Sequence, residues 1–550
     1  MDGNNQTVPE QVAKTPWSRL LLWAAWAVVG ILLTIGAGYM LSYGMNNHPW
    51  AYSDSVEYIV TARHLLAGSG LTMPAPDGHL MSLSLHPPFY PLTLAGLFQL
   101  GGNTFTSIAW LNIFLFAGAV LILLAGLLWT THSFWYALTV SLLFPLIPAL
   151  VKNFDGAMSE PLFIFLLVAS YMTLVSYFVS RKMGWVIVSG LLAFLATLTR
   201  FAGAAAILAG ALAVLLWAGK TWRRKFKIVG IYLASSALPF LVWGAASFLQ
   251  SGSFASRSVI VPAKILQLLT NFRITVMEIW VSWLPYTNTA FNSWQEKSLA
   301  VYVTILLVII IAIRLAWGWQ RKIEWHRDRY LPGMLAALGN AILYFGCYML
   351  VLLVSYLFSS LTPDINERML APAIPFILIA CFGALFALLR FWRWKPIFVV
   401  IPLALAAFLI NAYWPLTQKA LHDNRFENIS YSASQWDTSE VFQSILSLPA
   451  KQPLFSNDPA LVLLHTDRFP YAVSEISNQI TLANPLPYGQ GASSDEKLFD
   501  QKGGALVLFK DSIYEQFHGM YGDGTDERIT LLTQGLRSIF DDPHSAIYVK

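Results

Sequence analysis

Two carboxylates three residues apart, Asp54 and Glu57 in "AYSDSVEYIVTARHLLAGSGL" (51–71), are the first groups in this chain that could do chemistry. At i and i+3 they share one face of a helix, and Tyr58 lies on its apolar side. A carboxylate held rigidly there can take a proton from an attacking hydroxyl, which makes Asp54 a candidate general base and Glu57 its partner. The same positions suit plain capping, with Asp54 as N-cap and Glu57 completing a capping box. A second acidic stretch, "NFDGAMSEPLF" (153–163), holds Asp155 in a tight turn before Gly156. Glu160 stands there at a helix start marked by Ser159 and Pro161. The cations that could answer these acids are Arg200 in "TLTRFAG" and Arg368 in "PDINERMLAPAIPF". Arginines in a dry cleft can capture an anionic group such as a phosphate. The bland alternatives are snorkelling to headgroups and pairing of Arg368 with Asp364. His86, before Pro87, suits an orienting or donor role, because it shows no metal-ligand spacing with His64 or His79.

The elements that must position these groups are membrane spans. The 550 residues are 56% hydrophobic and only 12% charged, too few charges to cover a water-facing surface. Cys347 and Cys381 both lie in apolar runs and can build neither a disulfide framework nor a thiolate metal cluster. The apolar run from Trp17 to Met40 is too long for a signal-peptide core and reads as an uncleaved first span. Basic clusters at 14–19, 181–182, 220–227, 314–329 and 390–395 are expected on the cytoplasmic side. That constraint is met by about eleven spans, within a range of 11–13, near 17–41, 105–129, 134–151, 157–179, 183–199, 201–219, 228–250, 299–317, 334–359, 369–389 and 396–414. The expected fold is thus a polytopic α-helical membrane protein, in the plasma (inner) membrane, with its N-terminus cytoplasmic and its C-terminus outside.

"HPPFYPLTLAGLFQLGG" (86–102) is short, carries three prolines and would invert the topology, so it is expected to be a half-inserted or interfacial helix walling a cavity. Residues 1–414 form the transmembrane catalytic domain on this reading, with a first outer loop at 42–104 and a long outer loop at 251–298. Residues 415–550 form a small extracytoplasmic α/β domain. Its strands are "QPLFSN" and "GALVLFKD", and its helices "DPALVLLHTD" and "ERITLLTQGLRSIF".

Five stretches together resemble the GT-C glycosyltransferases, polytopic enzymes that use polyprenyl-phosphate sugars. They are "YSDSVEYIVTARHLLAGSGL", "HPPFYPLTLAGLFQLGG", "MSEPLFIFLLVAS", "LATLTRFAGAAAIL" and "ERMLAPAIPFILI", in matching order over roughly residues 15–415. Within that superfamily the chain is most similar to the protein O-mannosyltransferase and lipid A aminoarabinose transferase group. The resemblance implies a catalytic carboxylate in the first outer loop, where Asp54 fits. It implies a second acidic position in the next outer loop, where Asp155 fits. A divalent ion held by Asp155 is one option for helping the arginines stabilise the leaving phosphate. It implies basic residues for the lipid phosphate, with Arg368 and Arg200 as candidates. Ser55 departs from the family's pattern of two adjacent acids. The substrate-binding set expected from residues and resemblance together is Asp155, Glu160, Arg200, Arg368, His86 and Tyr58.

The expected activity is inverting transfer of a sugar from a polyprenyl-phosphate carrier to a hydroxyl of a glycan, lipid or protein at the outer face. The expected partners also include membrane lipids. No nucleic acid is expected, and the chain has no P-loop or dinucleotide fingerprint. Alternatives are a lipid or polysaccharide flippase or transporter, and a glycan ligase using a lipid-diphosphate donor. A transporter predicts ionisable groups near the midplane of its spans. The apolar runs 105–129 and 134–151 carry no Lys, Arg, Asp or Glu.

Overall fold

The computed structural model describes residues 16–82, 86–219, 221–251, 264–284, 331–359, 365–390, 397–473, 503–512 and 524–550, with Phe499, Tyr514 and His518 as isolated positions. Long apolar runs become long helices, because a backbone surrounded by lipid must satisfy its own hydrogen bonds. They are α1 (Pro16–Met45), α4 (Thr104–Thr131), α7 (Glu160–Ser180), α8 (Met183–Thr199), α9 (Ala204–Trp217), α10 (Trp222–Ser251), α12 (Leu331–Phe358), α14 (Ile374–Arg390) and α15 (Ile397–Phe426). Seven described helices are long and apolar enough to cross a bilayer. The pair α5 (Phe134–Leu143, extended by a 3-10 turn) and α6 (Pro148–Phe154) makes an eighth if counted as one span, bent by 64°. Pro148 sits at the start of α6, where it cannot continue the preceding ladder. The expected count of eleven is therefore not reached among the described residues, and the run 299–317 lies outside them.

Helix α7 is the centre of the bundle. It packs against α4, α8 and α12, with nearly every side chain buried. Ser170 on α7 donates to the Ser189 carbonyl of α8 at 3.0 Å and shares a hydrogen bond with Tyr344 of α12.

Three short elements lie at one end of this bundle. Helix α2 (Ser53–Leu66) and helix α3 (Phe89–Phe98) flank a small antiparallel hairpin, β1 (Thr72–Pro74) with β2 (Leu80–Ser82). At ten residues α3 is too short to span, and it packs on α2 and α8 as the non-spanning helix expected for 86–102. Helix α11 (Ile265–Trp283) occupies much of the stretch expected to be the long outer loop 251–298. It carries Arg273 and Glu278 and buries only one narrow stripe, which hid it from an apolar-run criterion. Helix α13 (Glu367–Leu370) starts the segment that continues into α14.

The C-terminal region is a five-stranded sheet in the order β4-β3-β5-β7-β6. Its strands are β3 (Leu454–Ser456), β4 (Tyr471–Ala472), β5 (Ala505–Phe509), β6 (Arg537–Asp541) and β7 (Ser545–Val549). Helices α16 (Glu440–Ser447), α17 (Pro459–Thr466) and α18 (Thr525–Thr533) accompany it. The single helix expected over "ERITLLTQGLRSIF" breaks in two. Gly535 adopts a left-handed φ of +81°, ends α18 and releases β6. Helix α15 runs through Pro415 to Phe426, eleven residues beyond the boundary expected at 415.

Candidate active site

The candidate acids and cations, Asp155 apart, converge on α2. Arg368 Nη2 pairs with Asp54 Oδ2 at 2.9 Å, and Arg368 Nε lies 3.0 Å from Glu160 Oε1. Arg200 Nη1 pairs with the same Glu160 oxygen and donates to Ser159 Oγ at 3.1 Å. Glu160 is 1% exposed and is the hub of a Asp54–Arg368–Glu160–Arg200 chain. Two guanidinium groups balance two carboxylates, so the cluster can be buried without net charge. The expected pairing of Arg368 with Asp364 concerns a partner outside the described residues.

The second cluster adjoins the first. Glu57 Oε2 lies 3.4 Å from His86 Nε2. The other ring nitrogen of His86 shares a hydrogen bond with the Tyr58 hydroxyl at 3.1 Å, and that hydroxyl also meets Ser159 Oγ at 3.3 Å. Burial, with Asp54 nearby, pushes the Glu57 carboxyl up from 4.5 to about 7. Burial also raises the Tyr58 hydroxyl well above its ordinary range, keeping it a neutral donor. Asp54 and its paired Arg368 remain about 30% exposed, at 29% and 30%. The site is thus dry on the Glu160 side and open at Asp54.

Local structure explains these placements. Asp54 does not cap α2. The N-cap is Tyr52, whose backbone N–H donates to Ser55 Oγ at 2.9 Å, which leaves Asp54 in the first turn with its carboxylate free to meet Arg368. Glu57 likewise turns to His86 and completes no box with Asp54. Ser159 sits at the N-cap of α7 without a side-chain capping bond, and its hydroxyl serves Arg200 and Tyr58. Arg200 occupies an extended residue between α8 and a 3-10 turn, Phe201–Gly203. That turn folds onto α8 so tightly that a Cβ on Gly203 would lie 2.4 Å from Thr197 N. Asn366 caps α13 through Met369 N at 3.1 Å, and Tyr348 of α12 donates to the Met369 carbonyl at 2.7 Å. These bonds fix the backbone on both sides of Arg368.

Sequence reasoning missed several supports. Asn112, buried inside α4, donates to the carbonyls of Phe154 at 2.9 Å and Gly156 at 2.7 Å and so clamps the turn before α7. A lone Asn in an apolar run was its only signal. Glu367 accepts from Trp283 Nε1 at 3.0 Å and lies 3.8 Å from Lys152 Nζ. Lys152 is thereby a third cation beside the Arg368 segment.

Asp155 is placed apart from this constellation. Its backbone carbonyl accepts from Trp50 N at 3.0 Å, but its side chain is fully buried and touches none of the charged cluster. Burial raises its carboxyl well above the carboxylate range, and only the neighbouring Asn424 amide opposes this. Asp155 belongs to no described cluster of His, Cys, Asp or Glu ligand atoms. Among the described residues the one group of convergent His, Asp and Glu ligand atoms is His422, Asp423 and Glu427, at the end of α15 and largely exposed.

No protein-family model matches the chain, and no curated protein matches it either. Solved structures do. ArnT from Cupriavidus metallidurans, bound to undecaprenyl phosphate, is similar over 96% of this chain and 98% of its own, at 13% identity and a TM-score of 0.51. The same protein in the apo state gives the same figures, 96% and 98% coverage, 13% identity and 0.51. The apo oligosaccharyltransferase of Archaeoglobus fulgidus is similar over 94% of this chain and 74% of its own, at 12% identity and a TM-score of 0.51. At such identities the likeness carries the fold, and it is the fold those transferases share: this chain is a multi-pass membrane protein with the GT-C fold.

Proposed function

We propose that the protein is a membrane glycosyltransferase that moves a sugar from a polyprenyl-phosphate carrier to an acceptor hydroxyl at the outer face. The observation that carries this is the Asp54–Arg368–Glu160–Arg200 chain, open at Asp54 and dry behind it. The donor's phosphate approaches Arg368 and Arg200, whose charge is held in place by Glu160. As the acceptor oxygen attacks the anomeric carbon, the glycosidic bond to the phosphate breaks. The leaving phosphate gains charge, and fixed guanidinium groups in a water-poor cleft stabilise that charge most effectively. Asp54 takes the acceptor's proton, a step that contributes about 10²–10⁴-fold when the base is positioned. A single in-line displacement inverts the anomeric configuration. Tyr58 and His86 orient the sugar, and Glu57 sets the polarity around Asp54.

A second assignment of the base has its own support. Burial raises the Glu57 carboxyl to about 7, and it sits against His86, which suits a base working at neutral pH. Separate Asp54→Asn and Glu57→Gln variants decide between them. The base's variant loses transfer while still binding polyprenyl phosphate. In this proposal residues 427–550 form an extracytoplasmic domain, and the N-terminus is cytoplasmic. A transporter would need ionisable groups at mid-span, whereas the described carboxylate–arginine pairs gather at the end of the bundle that carries α2. Transfer of labelled sugar from polyprenyl monophosphate by the purified protein tests the proposal, and binding of donor without transfer to any acceptor hydroxyl contradicts it.

A further inference from the structure

The C-terminal sheet contains a crevice that the proposed chemistry does not use. Strand β3 runs parallel to β4 on one side and to β5 on the other. The chain leaves β3 through α17 toward β4, while β7 and β6 extend the sheet beyond β5. Ligands of open α/β sheets sit beyond the carboxyl ends of strands at such a switch in direction. A cavity of about 520 Å³ lies there, a size that suits a small-molecule site. Asn457 and Asp458 follow β3, Ser512 follows β5, Phe469 and Tyr471 come from the β4 side, and Tyr431 faces them. Asn457 ties the strand ends together, donating to the Phe509 carbonyl at 3.1 Å and accepting from Phe509 N at 2.9 Å.

The described lining disfavours phosphate. Among the described residues it contains no Lys, Arg or His. No glycine follows β3, and Pro459 opens α17 without an N–H. The Asp458 carboxylate already accepts from Leu461 N at 3.4 Å, so the helix end is capped by a negative group. The described lining has three aromatic rings, a carboxyl, an amide and three hydroxyls. Ring faces accept the apolar C–H face of a pyranose, and a carboxylate beside an amide satisfies vicinal hydroxyls. Burial raises the Asp458 carboxyl, and its hydrogen bond with the Tyr431 hydroxyl opposes that rise and holds the two polar groups together at the mouth. The cavity also faces the catalytic end of the chain. Pro76 of the β1–β2 turn forms part of its wall, and Tyr431 N donates to the carbonyl of Ala51 at 3.2 Å, three residues before Asp54.

We propose that this crevice binds a neutral sugar unit. The sugar site stands on the cavity's own chemistry, and its role as an anchor for an acceptor glycan rests on the transferase function proposed above.

The test uses the full chain in nanodiscs with Asp54→Asn to prevent turnover. The probes are mannobiose, lactose, cellobiose and diacetylchitobiose, followed by saturation-transfer NMR. At least one disaccharide is expected to receive saturation, and Ala460→Trp, which fills the cavity from α17, is expected to abolish it. Asp458→Asn keeps the cap, since Asn caps as well as Asp, and is expected to weaken binding by about 3–10-fold through one altered hydrogen bond. If Ala460→Trp does not fold, Ser512→Trp fills the same cavity from the β5 side. The proposal is overturned if no disaccharide gives a signal that the filling variants remove, or if Ser/Thr peptides give it instead. Pocket-dependent sugar binding without any donor-dependent transfer by the wild-type protein removes the transferase function and leaves the sugar site. Transfer without pocket-dependent binding does the reverse.

Discussion

Replacing Glu57 by Gln should change stability in a pH-dependent way. The carboxyl rises from 4.5 to about 7 because burial penalises its charged form and Asp54 lies close. At roughly 1.4 kcal/mol per pH unit, that rise corresponds to about 3 kcal/mol. With 24% of the Glu57 side chain exposed, solvent screening reduces the expected figure to about 1–2 kcal/mol. The sign follows from the raised value. The favourable contribution of a protonated Glu57 is complete below about 4.5 and is lost as pH climbs through about 7. Gln resembles the protonated form at every pH and suffers no such loss. In denaturant titration of the detergent-solubilised protein, Glu57→Gln should match wild type at about pH 5 and exceed it by about 1–2 kcal/mol at about pH 8.5. A difference of the same size at both pH values would refute the reasoning, because packing and not ionisation would then be responsible. A variant less stable than wild type only at high pH would show that His86 or another group stabilises the anion, and that desolvation does not dominate.

Three further perturbations follow from the same geometry. Arg368→Ala leaves Glu160 with Arg200 as its single cation in a dry site and should cost about 3–5 kcal/mol, while Arg368→Lys should recover part of it; chemical unfolding of both variants measures this. Asp155→Asn replaces a buried carboxyl, set apart from the charged cluster, by an isostere, so donor-dependent transfer should stay within about 3-fold of wild type; a loss of about 10²-fold or more would place Asp155 in the catalytic machinery. Gly203→Ala forces the 3-10 turn off α8 and should destabilise the protein by about 1–3 kcal/mol while weakening binding of polyprenyl phosphate through the displaced Arg200, as read by thermal melts and by lipid binding.

Much of the bundle was legible in the sequence, since apolar runs of span length admit few structures. The same holds for the segment 86–102 that contains α3, whose three prolines and short length excluded a crossing. Helix α11 was not legible, because its single buried stripe and internal charges resemble a loop when only mean apolarity is read. The residues of the site were legible as types near the ends of apolar runs. Their pairing was not. Arg368 and Asp54 are 314 positions apart, and nothing local distinguishes that partner from a nearby Asp. Glu160 reads in sequence as dipole chemistry at a helix start, yet tertiary packing makes it the buried hub. Asp155 shows the converse. A tight turn before Gly156 marks it in sequence as a candidate beside the other acids, and the clamp from Asn112 together with its neighbour Asn424 of α15 buries it instead. In the C-terminal sheet, Gly535 was the signal that divides helix from strand, and a continuous apolar pattern across it concealed the break.

The most direct measurement is sugar transfer by purified protein in nanodiscs from radiolabelled polyprenyl-phosphate sugars, comparing wild type with Asp54→Asn. The predicted result is label reaching an acceptor hydroxyl with inverted anomeric configuration in wild type, and a loss of about 10²–10⁴-fold in Asp54→Asn with polyprenyl-phosphate binding intact. Equal transfer by both proteins, or retention of configuration, would contradict the assignment of Asp54 as the base of a single displacement.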